Sequence, residues 1–135
     1  MTGVTRTDAR DAPSAGEPAD LVIDLSVLGA LVGAVDEDSV AFVEELLATW
    51  STETDRYLAA LGTAVVAGDR AWLGRVVHTL KGSSATVGAV ALVVTCEQVE
   101  AQLRSGSGDL GAACDRLRAG AGETRAAFAA RDRER

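Results

Sequence analysis

The amino-acid sequence predicts an all-α protein, an antiparallel up-down-up-down four-helix bundle with a short extra helix on its N-terminal side. From residue 21 onward, apolar residues recur in steps of three and four, and no alternating run is long enough for a strand. Both prolines precede residue 20, which leaves the rest of the chain free to be helical. Short junctions containing Gly separate four long apolar stripes, as in helical bundles.

The size and charge of the chain argue against several classes of protein. It has 135 residues and a mass of 13.9 kDa, which is the size of one domain. Its 13 basic and 20 acidic residues give a net charge of −7, which argues against a nucleic-acid binder. No apolar run approaches the ~20 residues of a membrane span, and the N-terminus lacks the apolar stretch of a secretory signal. We therefore expect a cytoplasmic protein that binds neither nucleic acid nor a membrane.

Few side chains are available for metal or nucleotide chemistry. His78, Cys96 and Cys114 are the only histidine and cysteines, whereas a tetrahedral zinc site needs about four ligands. The sequence has no phosphate-binding glycine-rich loop and no Gly-x-Ser-x-Gly nucleophile motif. We expect no metal site and no nucleotide bound by the usual loops.

The first two helices are predicted from their capping residues. Ser26 is expected to cap a short helix over 27–35. The acidic stretch that begins at Asp36 predicts the start of a long helix, because acids are favourable at the positive end of the helix dipole. Gly68 suits a left-handed cap at the end of that helix, and Asp69 suits the N-cap of the next.

Three further helices complete the predicted bundle. The third runs over 70–85, and Gly88 marks the break before the fourth. A Ser-Gly-Ser-Gly turn at 105–108 ends the fourth helix and leads into the fifth. The predicted boundaries are a disordered leader over 1–20, the bundle over 21–130 and a frayed tail over 131–135.

The position of His78 on the third helix predicts an exposed ring. Leu80 and Val76 lie two residues to either side, each ~200° around the helix, so the imidazole points away from the apolar stripe. A surface histidine without a function fits this geometry about equally well. The predicted core stripe of the helix consists of Leu73, Val76, Leu80 and Ser83 or Ser84.

The neighbours of His78 favour a functional interpretation. Arg75, Lys81 and Gly82 lie about one turn away and flank it on the exposed face. Segment 70–96 has three cations and no acid, so it is +3 and the rest of the chain is −10. Such cations would stabilise an anion at the ring and attract an acidic partner, although three charges also fit a chance fluctuation. Gly82 is costly inside a helix, and its missing side chain would let another protein approach the imidazole closely.

The sequence around His78 resembles a known family. Residues 78–84 read H-T-L-K-G-S-S, and this stretch resembles the signature of the histidine-containing phosphotransfer (HPt) domain. The resemblance extends over about residues 24–130. The later positions that take part in it are Gly88, Leu92, Cys96 and Glu100.

The resemblance implies a four-helix bundle that carries a phosphoryl group on an exposed histidine. Carried over to this sequence, His78 is the phosphoacceptor, Lys81 stabilises the phosphoryl charge and Gly82 gives the partner clearance. Ser83 is one of two small residues that let the neighbouring helix pack closely. Many members have Ala where this chain has Val77, a departure that tightens packing without touching the chemistry.

Glu100 matches a position at which some members of the family place Glu or Gln. In those members the side chain hydrogen-bonds the second imidazole nitrogen and leaves Nε2 free to attack. A solvated surface carboxylate is the alternative interpretation of Glu100. We assign Arg75, Gly82, Ser83 and Glu100 to the binding surface.

The predicted function is that of a phosphorelay carrier in two-component signalling. His78 would accept a phosphoryl group from a receiver-domain aspartate or a histidine kinase and pass it to another receiver. The expected partners are response-regulator receiver domains and a hybrid histidine kinase, with Mg²⁺ on the receiver and no cofactor on this chain. We expect a monomer without autokinase activity. The alternative is a helical scaffold that binds receiver or kinase domains without phosphorylation; the intact set of His78, Lys81 and Gly82 argues against it.

Overall fold

The computed structural model describes residues 22–33 and 36–134, and over these ranges the chain forms five helices and no strand. The all-α prediction is confirmed. The predicted leader over 1–20 lies outside the described residues. The helices are α1 (Leu25–Val32), α2 (Glu37–Ala67), α3 (Arg70–Thr86), α4 (Val90–Ser105) and α5 (Leu110–Glu134).

The four long helices enclose one apolar core. Each packs against the next along the chain, α5 also packs against α2, and α1 packs against α2. Between α2 and α5, Arg118 donates to the Leu58 carbonyl at 3.2 Å and Arg125 to the Ser51 carbonyl at 2.8 Å, so the two helices run in opposite directions. The largest fully buried side chains of the core include Ile23, Leu61, Leu73, Leu80, Leu92 and Leu117.

The junction between α2 and α3 has the predicted caps. Gly68 adopts a left-handed conformation with φ of 69°, and the side chain of Asp69 accepts a hydrogen bond from the Trp72 amide at 2.9 Å. Asp36 caps α2 in the same way by accepting from the Ser39 amide at 2.8 Å. Only two residues therefore separate the helix that carries His78 from α2.

Some predicted helix limits were wrong. The N-cap of α1 is Asp24 and not Ser26, because the Asp24 carboxylate accepts from both the amide and the hydroxyl of Ser26. This helix also ends at Val32, before the predicted limit at residue 35. At the other end of the chain, α5 extends to Glu134, and the predicted fraying of residues 131–135 stays a prediction.

The core stripe of α3 also differs from the prediction. Val77 is fully buried and Ser84 accepts a hydrogen bond from the indole of Trp50 at 3.2 Å. Val76 and Ser83 are only half-buried. The next core residue after Leu73 is thus four positions later, at Val77, and not three positions later, at Val76. The face that α3 turns towards the core therefore differs from the predicted face.

The turn between α3 and α4 depends on Gly88. This residue has a φ of 79°, and its carbonyl accepts a 2.7 Å hydrogen bond from the Asp24 amide. A Cβ atom here would be in hard contact with the Asp24 carbonyl oxygen, whereas a Cβ atom on Gly82 would meet nothing within 4 Å. The two glycines therefore serve different purposes.

We expect Gly88→Ala to lower the free energy of unfolding by at least about 2 kcal/mol, because it adds left-handed strain to a backbone clash. Gly82→Ala is the matched control and should raise the free energy of unfolding by about 1 kcal/mol, since alanine is the better helix former. Urea unfolding followed by circular dichroism measures both. Equal stability of the two variants would contradict this account of the turn.

Candidate functional site

The His78 side chain projects from the middle of α3 into solvent. It is 74% exposed, as the sequence predicts. Val77 and Leu80, its neighbours in sequence, are fully buried and hold this face of α3 in place. The imidazole is therefore presented to solvent from a rigid helix and not from a loop.

A single carboxylate on α4 contacts two of the predicted site residues on α3. Oε2 of Glu100 lies 3.2 Å from Nδ1 of His78, and Oε1 lies 2.7 Å from Nζ of Lys81. The Glu100 side chain is only 16% exposed and that of Lys81 is 27% exposed. The carboxylate is thus shielded from water on one side and occupied by two hydrogen-bond donors on the other.

The electrostatics of this pair favour the charged form of both groups. Burial opposes ionisation of Glu100, but the hydrogen bonds from Lys81 and His78 outweigh it and lower the pKa of the carboxyl. The hydrogen bond with Glu100 raises the pKa of the Lys81 ammonium. Both groups are therefore charged at neutral pH. Behind them, burial raises the pKa of the Cys96 thiol to about 12, so that it stays protonated.

The hydrogen bond to Glu100 assigns the tautomer of the imidazole. A carboxylate only accepts hydrogen bonds, so Nδ1 carries a proton, and in the neutral ring the lone pair is then on Nε2. Among the described residues, no group hydrogen-bonds Nε2 of His78. The nitrogen that can act as a nucleophile therefore faces solvent.

The other predicted site residues lie in two different places. Gly82 and Arg75 are exposed on the same side of α3 as the imidazole, and no side chain lies over the Cα of Gly82. Ser83 instead turns towards α2, where it lines a shallow groove with Leu46 and Trp50. Its hydroxyl donates to the Leu80 carbonyl at 3.4 Å, so it contributes to helix packing and not to the face around the ring.

The ion pair between Lys81 and Glu100 was not foreseen. The sequence suggested a ring of cations around His78, but the charge of Lys81 is already balanced by Glu100. Arg75 has no ion pair within the part of the chain that the structure describes. The two members of the pair are 19 residues apart, and only the packing of α4 on α3 brings them together.

The described ranges contain neither a candidate metal cluster nor a candidate membrane span. In 22–33 and 36–134, no three His, Cys, Asp or Glu side chains are grouped so that they could hold a metal ion. None of the helices in these ranges combines the length and apolar character needed to cross a bilayer.

The fold and site define a class of helical bundle that presents one histidine, backed by a carboxylate, for group transfer. A family model described as "Hpt domain" matches residues 45–127. The crystal structure of histidine-containing phosphotransfer protein B (HptB) from Pseudomonas aeruginosa PAO1 is 26% identical, with a TM-score of 0.68. That match covers 84% of this chain and 97% of HptB. The chain belongs to the Hpt domain family. A search of curated proteins gave no match.

Membership in the family establishes the general role. Hpt proteins are phosphotransfer carriers in two-component signalling and interact with receiver domains and kinases. The family match begins within α2 and ends within α5, so it includes the whole of α3 and α4 and with them His78 and Glu100.

Proposed function

We propose that Nε2 of His78 accepts a phosphoryl group from a receiver-domain aspartate or a histidine kinase and passes it to a second receiver domain. The observation that carries this proposal is the hydrogen bond between Nδ1 and Glu100, which places the lone pair of the neutral ring on Nε2, on a side chain that is 74% exposed. A neutral imidazole nitrogen is a competent nucleophile at neutral pH. In-line attack requires an open approach to this atom, and the solvent face of α3 provides one.

Lys81 and Arg75 stabilise the charge of the transferred group. An ammonium has three N–H donors, and Glu100 uses only one of those on Lys81. The remaining donors are free to contact phosphoryl oxygens while the ion pair stays intact. Arg75 lies about one turn before His78 on the exposed face and supplies a second positive charge for an acidic partner.

Gly82 provides room for the partner. It lies four residues after His78, which places it beside the ring on the same face of α3. Nothing inside the protein requires a glycine here, because an added Cβ atom would meet open space and the backbone is helical. We infer that this position is a glycine because the absence of a side chain lets the receiver domain come close to the imidazole.

The remaining chemistry is assigned to the partners. Phosphoryl transfer between an acyl phosphate and an imidazole needs positioning and charge neutralisation, and the receiver supplies Mg²⁺ and the acidic pocket. We propose that this chain has no autokinase activity and works in the cytoplasm as a monomer. We also propose that a hybrid histidine kinase is one of its partners. The alternative function, a scaffold that binds without accepting phosphate, gives a different result in the experiment below.

Mixing the protein with a radiolabelled phosphorylated receiver domain should transfer label to this chain. The label should be acid-labile and alkali-stable, as expected for phosphohistidine, and His78→Gln should abolish it. Gel autoradiography after acid or alkali treatment measures both properties. A receiver complex that forms without any label on this chain would favour the scaffold and overturn the carrier function.

Lys81→Ala should slow transfer of the phosphoryl group by roughly tenfold to hundredfold, because it removes a cation beside the transferred group. The helical content should not change, since the side chain lies at the surface of α3. Single-turnover transfer from a labelled receiver and far-UV circular dichroism measure the two effects. Normal transfer rates would remove Lys81 from the mechanism.

Gly82→Gln should weaken receiver binding at least about tenfold by placing a side chain beside the ring. Gly122→Gln is the matched control, because Gly122 is also exposed, helical and open around its Cα, but lies on α5. Titration calorimetry with a receiver domain would measure both dissociation constants. If the two variants bind equally well, the clearance argument is wrong.

A further inference from the structure

Glu100 contacts the imidazole with a full negative charge. Its Oε2 lies 3.2 Å from Nδ1, and its other oxygen is held at 2.7 Å by Lys81. A neutral amide at this position would fix the same tautomer through its oxygen. The carboxylate therefore adds something beyond orientation, namely attraction for positive charge on the ring.

The transfer step itself generates that positive charge. The lone pair of Nε2 attacks phosphorus, the new N–P bond forms, and the P–O bond of the aspartyl phosphate breaks with its electron pair leaving on the aspartate oxygen. Because Nδ1 keeps its proton, the product ring is a phosphoimidazolium. In the second step a carboxylate oxygen of the next receiver attacks phosphorus, and the N–P electron pair returns to Nε2.

We propose that Glu100 is a positioning residue whose negative charge keeps the proton on Nδ1 of phosphorylated His78, so that the phosphoryl group remains transferable above neutral pH. This inference rests on the proposed function of His78. A protonated ring is the better leaving group, because the N–P electron pair returns to a cation and not to a neutral imidazole. Loss of the Nδ1 proton would make the phosphorylated protein more stable but a poorer donor.

Other charges around the ring act on the same proton. Lys81 repels the Nδ1 proton, but its ion pair with Glu100 offsets the charge of the lysine. Arg75 is exposed, so that solvent screens its charge. On the opposite side of α3, no described charged residue of α2 hydrogen-bonds or pairs with the ring. The charged side chains on the surrounding turns are Arg75 and Lys81 on α3, and Glu97, Glu100 and Arg104 on α4.

The test needs no partner protein. The full chain is phosphorylated with phosphoramidate, and loss of phosphate from the protein is followed by ³¹P NMR between pH 5 and pH 9. The rate of phosphate loss should fall at alkaline pH, where Nδ1 loses its proton. We expect Glu100→Gln to move this alkaline limb about one pH unit lower, which is the lower end of the pKa shift that an opposite charge causes in a neighbouring group. At pH 8 the half-life of the phosphorylated variant should therefore be roughly tenfold longer than that of the phosphorylated wild type, while at pH 5 the two half-lives should be equal.

Two controls separate this role from a structural one. Glu97→Gln removes a negative charge one turn before Glu100 on α4, from a residue that does not contact the ring. It should leave the alkaline limb of the rate profile where it is in the wild type. Lys81→Met with and without Glu100→Gln tests whether Glu100 acts through Lys81; the shift should persist without the lysine. A limb that does not move in Glu100→Gln, or moves only when Lys81 is present, would overturn the inference. A wild-type chain that takes up no phosphoryl group on His78 would overturn the proposed function as well.

Discussion

The site depends on the rotation of α3 about its own axis. Val77 and Leu80 are both fully buried, and His78 lies between them in sequence. Because successive residues are about 100° apart on a helix, burying those two side chains leaves no inward direction for the imidazole. The exposure of the ring is therefore a consequence of core packing, and it is as well determined as the core itself.

The position of α4 then decides what the imidazole meets. Glu100 lies 22 residues after His78, and the chain between them must reverse at Gly88 before α4 can return along α3. The Asp24 amide holds the Gly88 carbonyl, and Ile23 is buried beside that segment of chain, so the extra residues before α1 stabilise the turn. The turn at Gly88 thus directs α4 back along α3, and the packing of the two helices places Glu100 beside His78.

The rotation of α3 and the position of α4 explain how much could be predicted from the sequence. The outward direction of His78 and the junction at Gly68 follow from local rules, helical period and capping, and both were predictable. The choice between Val76 and Val77 as the core residue was not, because steps of three and four are equally helical and only the neighbouring helices decide between them. The pair of Lys81 and Glu100 was missed for the same reason, since it exists only in the packed bundle.

The ion pair and the hydrogen bond to the ring support each other. A carboxylate that is 16% exposed stays ionised because two donors compensate for its burial, so Lys81 helps to keep Glu100 charged while no phosphoryl group is present. In turn Glu100 accepts a hydrogen bond from Nδ1, which leaves the lone pair of the neutral ring on Nε2. In the proposed transfer, the remaining N–H donors of Lys81 would turn towards the phosphoryl group without releasing the carboxylate. Under this proposal, preparation of the nucleophile and stabilisation of the product charge would use the same three side chains.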